Sequence, residues 1–349
     1  MTVLAAEGPG LEFVEGRSWY DVARISRILS PWRELCTIAR QRISLLTNEG
    51  TRTMTSSVRI LAALVFLLFP AVGGAQESPA SRVGTLVIAH GGGPAWDNQV
   101  HAIAELVETG GPVQVSFLMG PGASENPFQT AAQRLVDEGA DEIIVVPLLV
   151  SSHSGHYEQI RWLAGATEEI DEAMLHHLHG AGIERAAVSV PIRVTPALDD
   201  SPQVAEVLAA RALELSSAPA DQALFLMGHG PNAAEDNAEW MRNLRPIADR
   251  VHELTGFRDV KLGLVRDDAP APVREEAVRA IREIIELQHE LTGQPVVVVP
   301  VLISTGSVSR EKFPADLEGL PVVYEGDALL PHPGMADVVE ARVREASTR

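Results

Sequence analysis

Residues 143–152 read IIVVPLLVSS, and residues 296–305 read VVVVPVLIST. An unbroken apolar run of this length, closed by small polar residues, marks a strand buried on both faces of a parallel sheet. Meeting it twice, with Pro147 matched by Pro300, predicts a duplicated chain. The match extends outward. The apolar runs 85–89 and 223–227 lead into His90-Gly91 and His229-Gly230, and each His is followed seven positions later by an Asp-Asn pair, Asp97-Asn98 and Asp236-Asn237. Residues 195–208 (TPALDDSPQVAEVL) likewise pair with residues 326–339 (GDALLPHPGMADVV).

Around these anchors, hydrophobic periodicity predicts strands at 113–119 and 187–194 and helices at 97–108, 128–138, 168–179 and 202–215 in the first half. The second half predicts strands at 260–265 and 321–324 and helices at 239–254, 273–291 and 335–346. Strands alternating with helices give parallel sheets with ligands at the carboxyl ends of the strands. The expected fold is α/β: two similar doubly wound parallel-sheet lobes related by internal duplication, with a cleft between them. Lobe one covers 84–215 and lobe two 222–349, with a small-residue hinge at 216–221. A composition that is 46% hydrophobic but only 5% aromatic suits sheets built on Val, Ile and Leu.

The formal charge of −19 over 349 residues excludes nucleic acid as an attractive partner, and an anionic membrane surface equally. Cys36 is the only cysteine, so neither a disulfide within the chain nor a cysteine-based metal site is possible. Any metal must be held by His, carboxylate or backbone oxygen. The run 60–69 (ILAALVFLLF) is too short to span a bilayer comfortably; it follows Arg59 and precedes Pro70 and small residues up to Ala75. It is therefore expected to be a signal peptide at 54–75 beginning at Met54, with 1–53 a mis-assigned upstream extension. The alternative is a membrane anchor through 60–69. Both place the bulk of the chain outside the cytoplasm, and the first leaves no membrane contact after cleavage.

At the strand ends, His90 closes the first strand of lobe one, and His153 and His156 follow its third. Such strand ends are neighbours, so these imidazoles can converge, and neutral imidazole is a ligand for Co²⁺, Fe²⁺, Ni²⁺ and Zn²⁺. Lobe two keeps His229, but Thr305-Gly306-Ser307-Val308 stands where lobe one has its His-bearing loop. Lobe one is therefore read as the active half and lobe two as the degenerate one. Gly91, Gly92 and Gly93 are expected to let a flat ligand approach the backbone; the turn lacks the Lys-Ser/Thr of a phosphate-binding loop. His176, His177 and His179 suit a helix C-terminus or a secondary metal-collecting site. Glu158 and Glu325 are candidate carboxylates. A Ser-His-Asp hydrolase is disfavoured, because no G-x-S-x-G elbow is present and Ser154 is read as lacking the strand–turn–helix setting.

An apolar strand, His90-Gly-Gly-Gly, a helix, and then VVPLLVSSHSGHYEQI (145–160) resembles the CbiX/SirB-like sirohydrochlorin chelatases, the class II tetrapyrrole chelatases. The resemblance covers Gly84 to the C-terminus. It implies insertion of Co²⁺ or Fe²⁺ into a sirohydrochlorin-type tetrapyrrole in a cleft between lobes, with a divalent metal (Co²⁺, Fe²⁺ or Ni²⁺) as substrate or ligand and no organic cofactor. The family's first metal-binding His falls on His90 and its second on the His153/His156 loop, with His156 preferred because it follows the glycine directly. An exported chain departs from the cytoplasmic setting of sirohydrochlorin synthesis. A non-catalytic extracytoplasmic protein binding metal or tetrapyrrole is the alternative. Arg161, Arg193, Arg266 and Arg310, near strand ends, are the cations expected to greet an acidic macrocycle.

Overall fold

In lobe one, β1 (Val83–Ala89) pairs in parallel with both β2 (Val113–Phe117) and β3 (Glu142–Leu148), and β4 (Ile192–Val194) adds beside β3, giving the order β2-β1-β3-β4. Lobe two repeats the plan: β5 (Ala223–Gly228) lies between β6 (Asp259–Leu264) and β7 (Val296–Val301), and β8 (Val322–Val323) lies beside β7. This is the predicted pair of parallel α/β sheets. The structure is a computed structural model and describes residues 82–348; the expected extension at 1–53 and signal segment at 54–75 lie outside the described residues. Among the described residues no helix is long and apolar enough to cross a membrane.

The helices of lobe one are α1 (Pro94–Ala104), α2 (Pro121–Glu125), α3 (Phe128–Asp137), α4 (Gly155–Leu163), α5 (Glu172–Gly180) and α6 (Pro202–Glu214). Lobe two has α7 (Ala234–Thr255), α8 (Ala271–Thr292), α9 (Phe313–Asp316) and α10 (Gly334–Ser347). Gly256 and Gly293 take the left-handed conformation just past the two long helices, where a side chain would be strained.

Period-two alternation in β5 shows how the lobes join. Leu224 and Leu226 enter a core shared with lobe one, whereas Ala223, Phe225 and Met227 face a second core with Ile281 and Ile285 of α8. The shared core also takes Val204, Val207 and Leu208 of α6 and Met335, Val338 and Val339 of α10. Arg342 of α10 is buried there and donates to the carbonyls of Ala197 and Leu198 in lobe one, at 2.7 and 2.8 Å. The lobes are thus fused along one side.

Two sequence expectations are corrected. The segment after β3 forms helix α4 as well as α5, where one helix at 168–179 was expected; Ser154 caps α4, its Oγ accepting from the Tyr157 amide at 3.3 Å. Strand β4 is confined to Ile192–Val194, shorter than 187–194, because only this stretch pairs with Ile143–Val145 of β3.

Candidate metal centre between strand ends

Pairing of β1 with β3 aligns Ala89 with Leu148, so the segments after these strands leave the sheet side by side. His90 follows β1 directly. Its Nδ1–H donates to the Gly91 carbonyl at 2.7 Å, since a carbonyl can only accept, and Nε2 is left with its lone pair. His156 sits in the first turn of α4. Gln159, fully buried one turn on, donates its amide to the Met174 carbonyl at 3.4 Å and turns Oε1 to His156 Nδ1 at 2.8 Å. That fixes the same tautomer in His156, again with Nε2 free. The two rings meet edge to face with centroids 4.6 Å apart. Outer hydrogen bonds that set tautomer and ring angle are the usual support of metal-binding histidines.

Burial and the His156 imidazole hold His90 below the ordinary histidine pKa, outweighing the Gly91 carbonyl; His229 lowers it further and Asp268 raises it. A neutral ring is the form that binds metal.

His153 has a different setting. Its Nε2 is 3.7 Å from Glu239 and its carbonyl accepts from Trp240 Nε1 at 2.7 Å, both residues belonging to α7. The imidazole packed on His90 is that of His156. The glycines also divide. Gly91 has φ +87°, and a Cβ there would stand 2.2 Å from the Met119 carbonyl oxygen; Gly92 packs on Trp96 and donates its N–H to Asp97 at 2.9 Å. Gly91 is buried, whereas Gly92 is exposed and Gly93 half-buried, and only at Gly93 would an added Cβ meet nothing. Asp97, one of the repeated Asp-Asn residues, is buried to accept that Gly92 amide.

The loop holding His156 is braced from two sides. Asp199, at φ 41°, accepts from the Ser152 amide at 2.8 Å, from Ser152 Oγ at 2.6 Å and from Asn243 of lobe two at 3.1 Å. Ser152 Oγ in turn accepts from the Ala197 amide, and Thr305 Oγ1 accepts from the Ala328 amide at the matching place in lobe two. The Thr305 loop docks on α1: Gln99 donates to the Thr305 carbonyl at 2.9 Å and accepts from its amide at 3.1 Å. Each lobe's loop thus clasps the other lobe's first helix, and Ser309, buried, stands where lobe one has His156.

His229 repeats the device of His90: Nδ1–H donates to the Gly230 carbonyl at 2.8 Å. Its neighbours differ. Asp268 Oδ2 lies 3.3 Å and Asp267 Oδ2 3.7 Å from its Nε2, both from the segment after β6. Asp267 is buried; burial would raise its pKa, but hydrogen bonds from Lys312 and Arg274 hold it below the usual value. Lobe two therefore carries its own constellation at its strand ends, which sequence reasoning missed. The signal available was its position: β6 lies beside β5, the strand that carries His229.

The remaining candidates stay outside. Glu158 is exposed and pairs with Arg161 at 3.1 Å, and Glu325 is exposed. Arg193 pairs with Glu142, Arg266 donates to the carbonyls of Pro231 and Asn232, and Arg310 pairs with Asp327. All four cations expected to greet a macrocycle thus have protein partners. His177 and His179 occupy the last turn of α5, in accord with the helix dipole; with His176 they form no three-ligand group among the described residues. Ser154 does stand between strand and helix, contrary to expectation, but as a helix cap. A pocket of about 390 Å³ beside β2, lined by His101, Glu105 and Arg134 among others, contains neither His90 nor His156.

Comparison with known proteins gives two kinds of match. The CbiX family model matches twice, over residues 84–215 and 223–346. Among solved structures, SirB from Bacillus subtilis with Fe³⁺ is similar with a TM-score of 0.53 at 19% identity, covering 76% of this chain and 96% of that one. The sirohydrochlorin chelatase SirB from Bacillus subtilis subspecies spizizenii in complex with cobalt gives a TM-score of 0.50, also at 19% identity, over 76% and 96%. At this identity the likeness shows the fold. No curated protein matches the chain.

Proposed function

Since the chain belongs to the CbiX family, with two copies of the family unit, we propose that it is a metal chelatase of the sirohydrochlorin type, taking a divalent ion such as Co²⁺ or Fe²⁺ as substrate at His90 and His156. The observation that carries this reading is the pair of imidazoles in contact at 4.6 Å, each with Nδ1 tied to an oxygen and Nε2 left to bind metal. Metallating a tetrapyrrole replaces two pyrrole N–H protons by one divalent ion. The site must therefore hold a labile metal on few protein ligands and also accept protons. Two neutral imidazoles meet the first need. As the ion leaves for the macrocycle, the same nitrogens become free to accept the pyrrole protons; burial of His90 favours the neutral form that takes up the metal.

The test is direct. Full-length protein is mixed with sirohydrochlorin and Co²⁺ or Fe²⁺, and metallation is followed by absorbance. The expected result is catalysed insertion that His90→Ala and His156→Ala abolish.

One observation favours a second reading. The four arginines expected to receive an acidic macrocycle are all engaged with protein groups, which suits a non-catalytic protein that binds metal or tetrapyrrole. The expected export of the chain agrees with it. Saturable Co²⁺ binding with no metallation would favour this alternative and end the enzyme reading.

A further inference from the structure

The chelatase reading leaves unused the donors that lobe two gathers at its own strand ends. We infer that His229, Asp267 and Asp268 form a second site for a first-row divalent cation, separate from the His90–His156 pair. One ligand atom from each of the three residues falls within 4.8 Å of the others. The gaps from Nε2 to the two carboxylates, 3.3 and 3.7 Å, are longer than an ordinary N–H···O hydrogen bond. Two ligands each about 2.0–2.2 Å from one metal, at tetrahedral to octahedral angles, stand about 3–3.5 Å apart; the Asp268 gap lies within that range and the Asp267 gap just beyond it.

The imidazole is set for this role independently of the acids. The Gly230 carbonyl takes the Nδ1 proton, so the nitrogen facing Asp268 carries the lone pair. Gly230, at φ +76°, packs against Leu264 and the backbone of Arg266, which holds the His229 turn to the segment bearing Asp267 and Asp268. Arg266 donates to the carbonyls of Pro231 and Asn232 and ties the same two segments again. Lys312 presently neutralises Asp267 Oδ2, but its side chain is 48% exposed and can swing into solvent when an ion supplies the charge; Arg274 keeps Oδ1. One nitrogen and two carboxylates make a harder set than the two imidazoles of lobe one, suited to Mn²⁺, Fe²⁺, Co²⁺ and Zn²⁺. The site stands whether or not the chain inserts metal into anything.

Equilibrium dialysis of the full chain with Co²⁺ counts the sites. Four proteins are compared: wild type, His90→Ala/His156→Ala, His229→Ala/Asp268→Ala, and the fourfold variant, whose residual binding is background. Each double variant is expected to hold one ion fewer than wild type, and the fourfold variant two fewer. Asp268 is exposed, so its removal leaves the fold intact. If His229→Ala/Asp268→Ala binds as many ions as wild type, the inference is wrong, while the lobe-one site and the chelatase reading are judged separately by the other double variant and by turnover. Lys312→Met, which removes the competing cation, is expected to lower the Co²⁺ concentration that half-fills the second site; an unchanged or raised concentration takes Asp267 out of it.

Discussion

The two lobes share a sheet order, a strand-end histidine and the glycine carbonyl that fixes its tautomer, yet they surround that histidine differently. In lobe one His90 meets His156, delivered by the helix after β3. In lobe two the matching position is the buried Ser309, and His229 instead meets Asp267 and Asp268 from the segment after β6. Duplication kept the part that prepares one nitrogen as a donor and let the partner vary. The scaffold supplies a lone pair, and the neighbouring strand end decides what chemistry that lone pair joins.

The largest expected effects fall on the lobe-one pair. His90→Ala or His156→Ala should weaken the first Co²⁺ by at least ~10–100-fold, the range seen when metal-site partners are removed, as measured by isothermal titration. A loss equally large in His229→Ala would erase the distinction between lobes. Next comes the join between them. Arg342→Met leaves the Ala197 and Leu198 carbonyls without their buried donor and should cost about 1–3 kcal/mol in denaturant unfolding. An unchanged midpoint would mean that the shared core holds the lobes without it.

Glycine substitutions sharpen the comparison on a smaller scale. Gly91→Ala puts a methyl against the Met119 carbonyl at a positive φ and should cost about 1–3 kcal/mol. Gly93→Ala meets no atom and, at the N-cap of α1, should cost no more than about 1 kcal/mol while impeding a flat ligand; equal losses in both would undo the contrast between Gly91 and Gly93.

The smallest effect is in pH. His90 in the metal-free protein should titrate below 6.5, by imidazole NMR, and His156→Ala should move that midpoint upward. A histidine whose folded pKa is depressed binds fewer protons folded than unfolded, so its contribution to stability falls as pH drops through 6.5 toward the lowered value. A midpoint above 6.5 would contradict the burial and the neighbouring imidazole together.

Much of this was legible in the residues. The repeated V-P-hydrophobic strands gave two sheets, and His90 and His156 were placed because parallel strands end on the same side. Helix α4 was hidden because Ser151-Ser152-His153-Ser154-Gly155 has the composition of a loop, although Ser154 is also a good N-cap and Ile160 and Leu163 recur at helical spacing. Asp267 and Asp268 were hidden for another reason. In a chain with 47 acidic residues two more aspartates carry no signal, and lobe one, with Met119 and Gly120 after β2, offers no matching pair. Only the packing of β6 against β5 singles them out. His153 could not be separated from His156 by spacing alone; what separates them is the docking of its loop on α7, a contact between distant parts of the chain.

The most direct test of the central claim is paramagnetic. Substoichiometric Co²⁺ is added to ¹⁵N-histidine-labelled full-length protein, and the imidazole nitrogens are followed by NMR. The account predicts that Nε2 of His90 and His156 broaden together at the first additions, ahead of His229 and of His176, His177 and His179. Broadening that begins at the α5 histidines or at His229, with His90 and His156 unaffected, would contradict it.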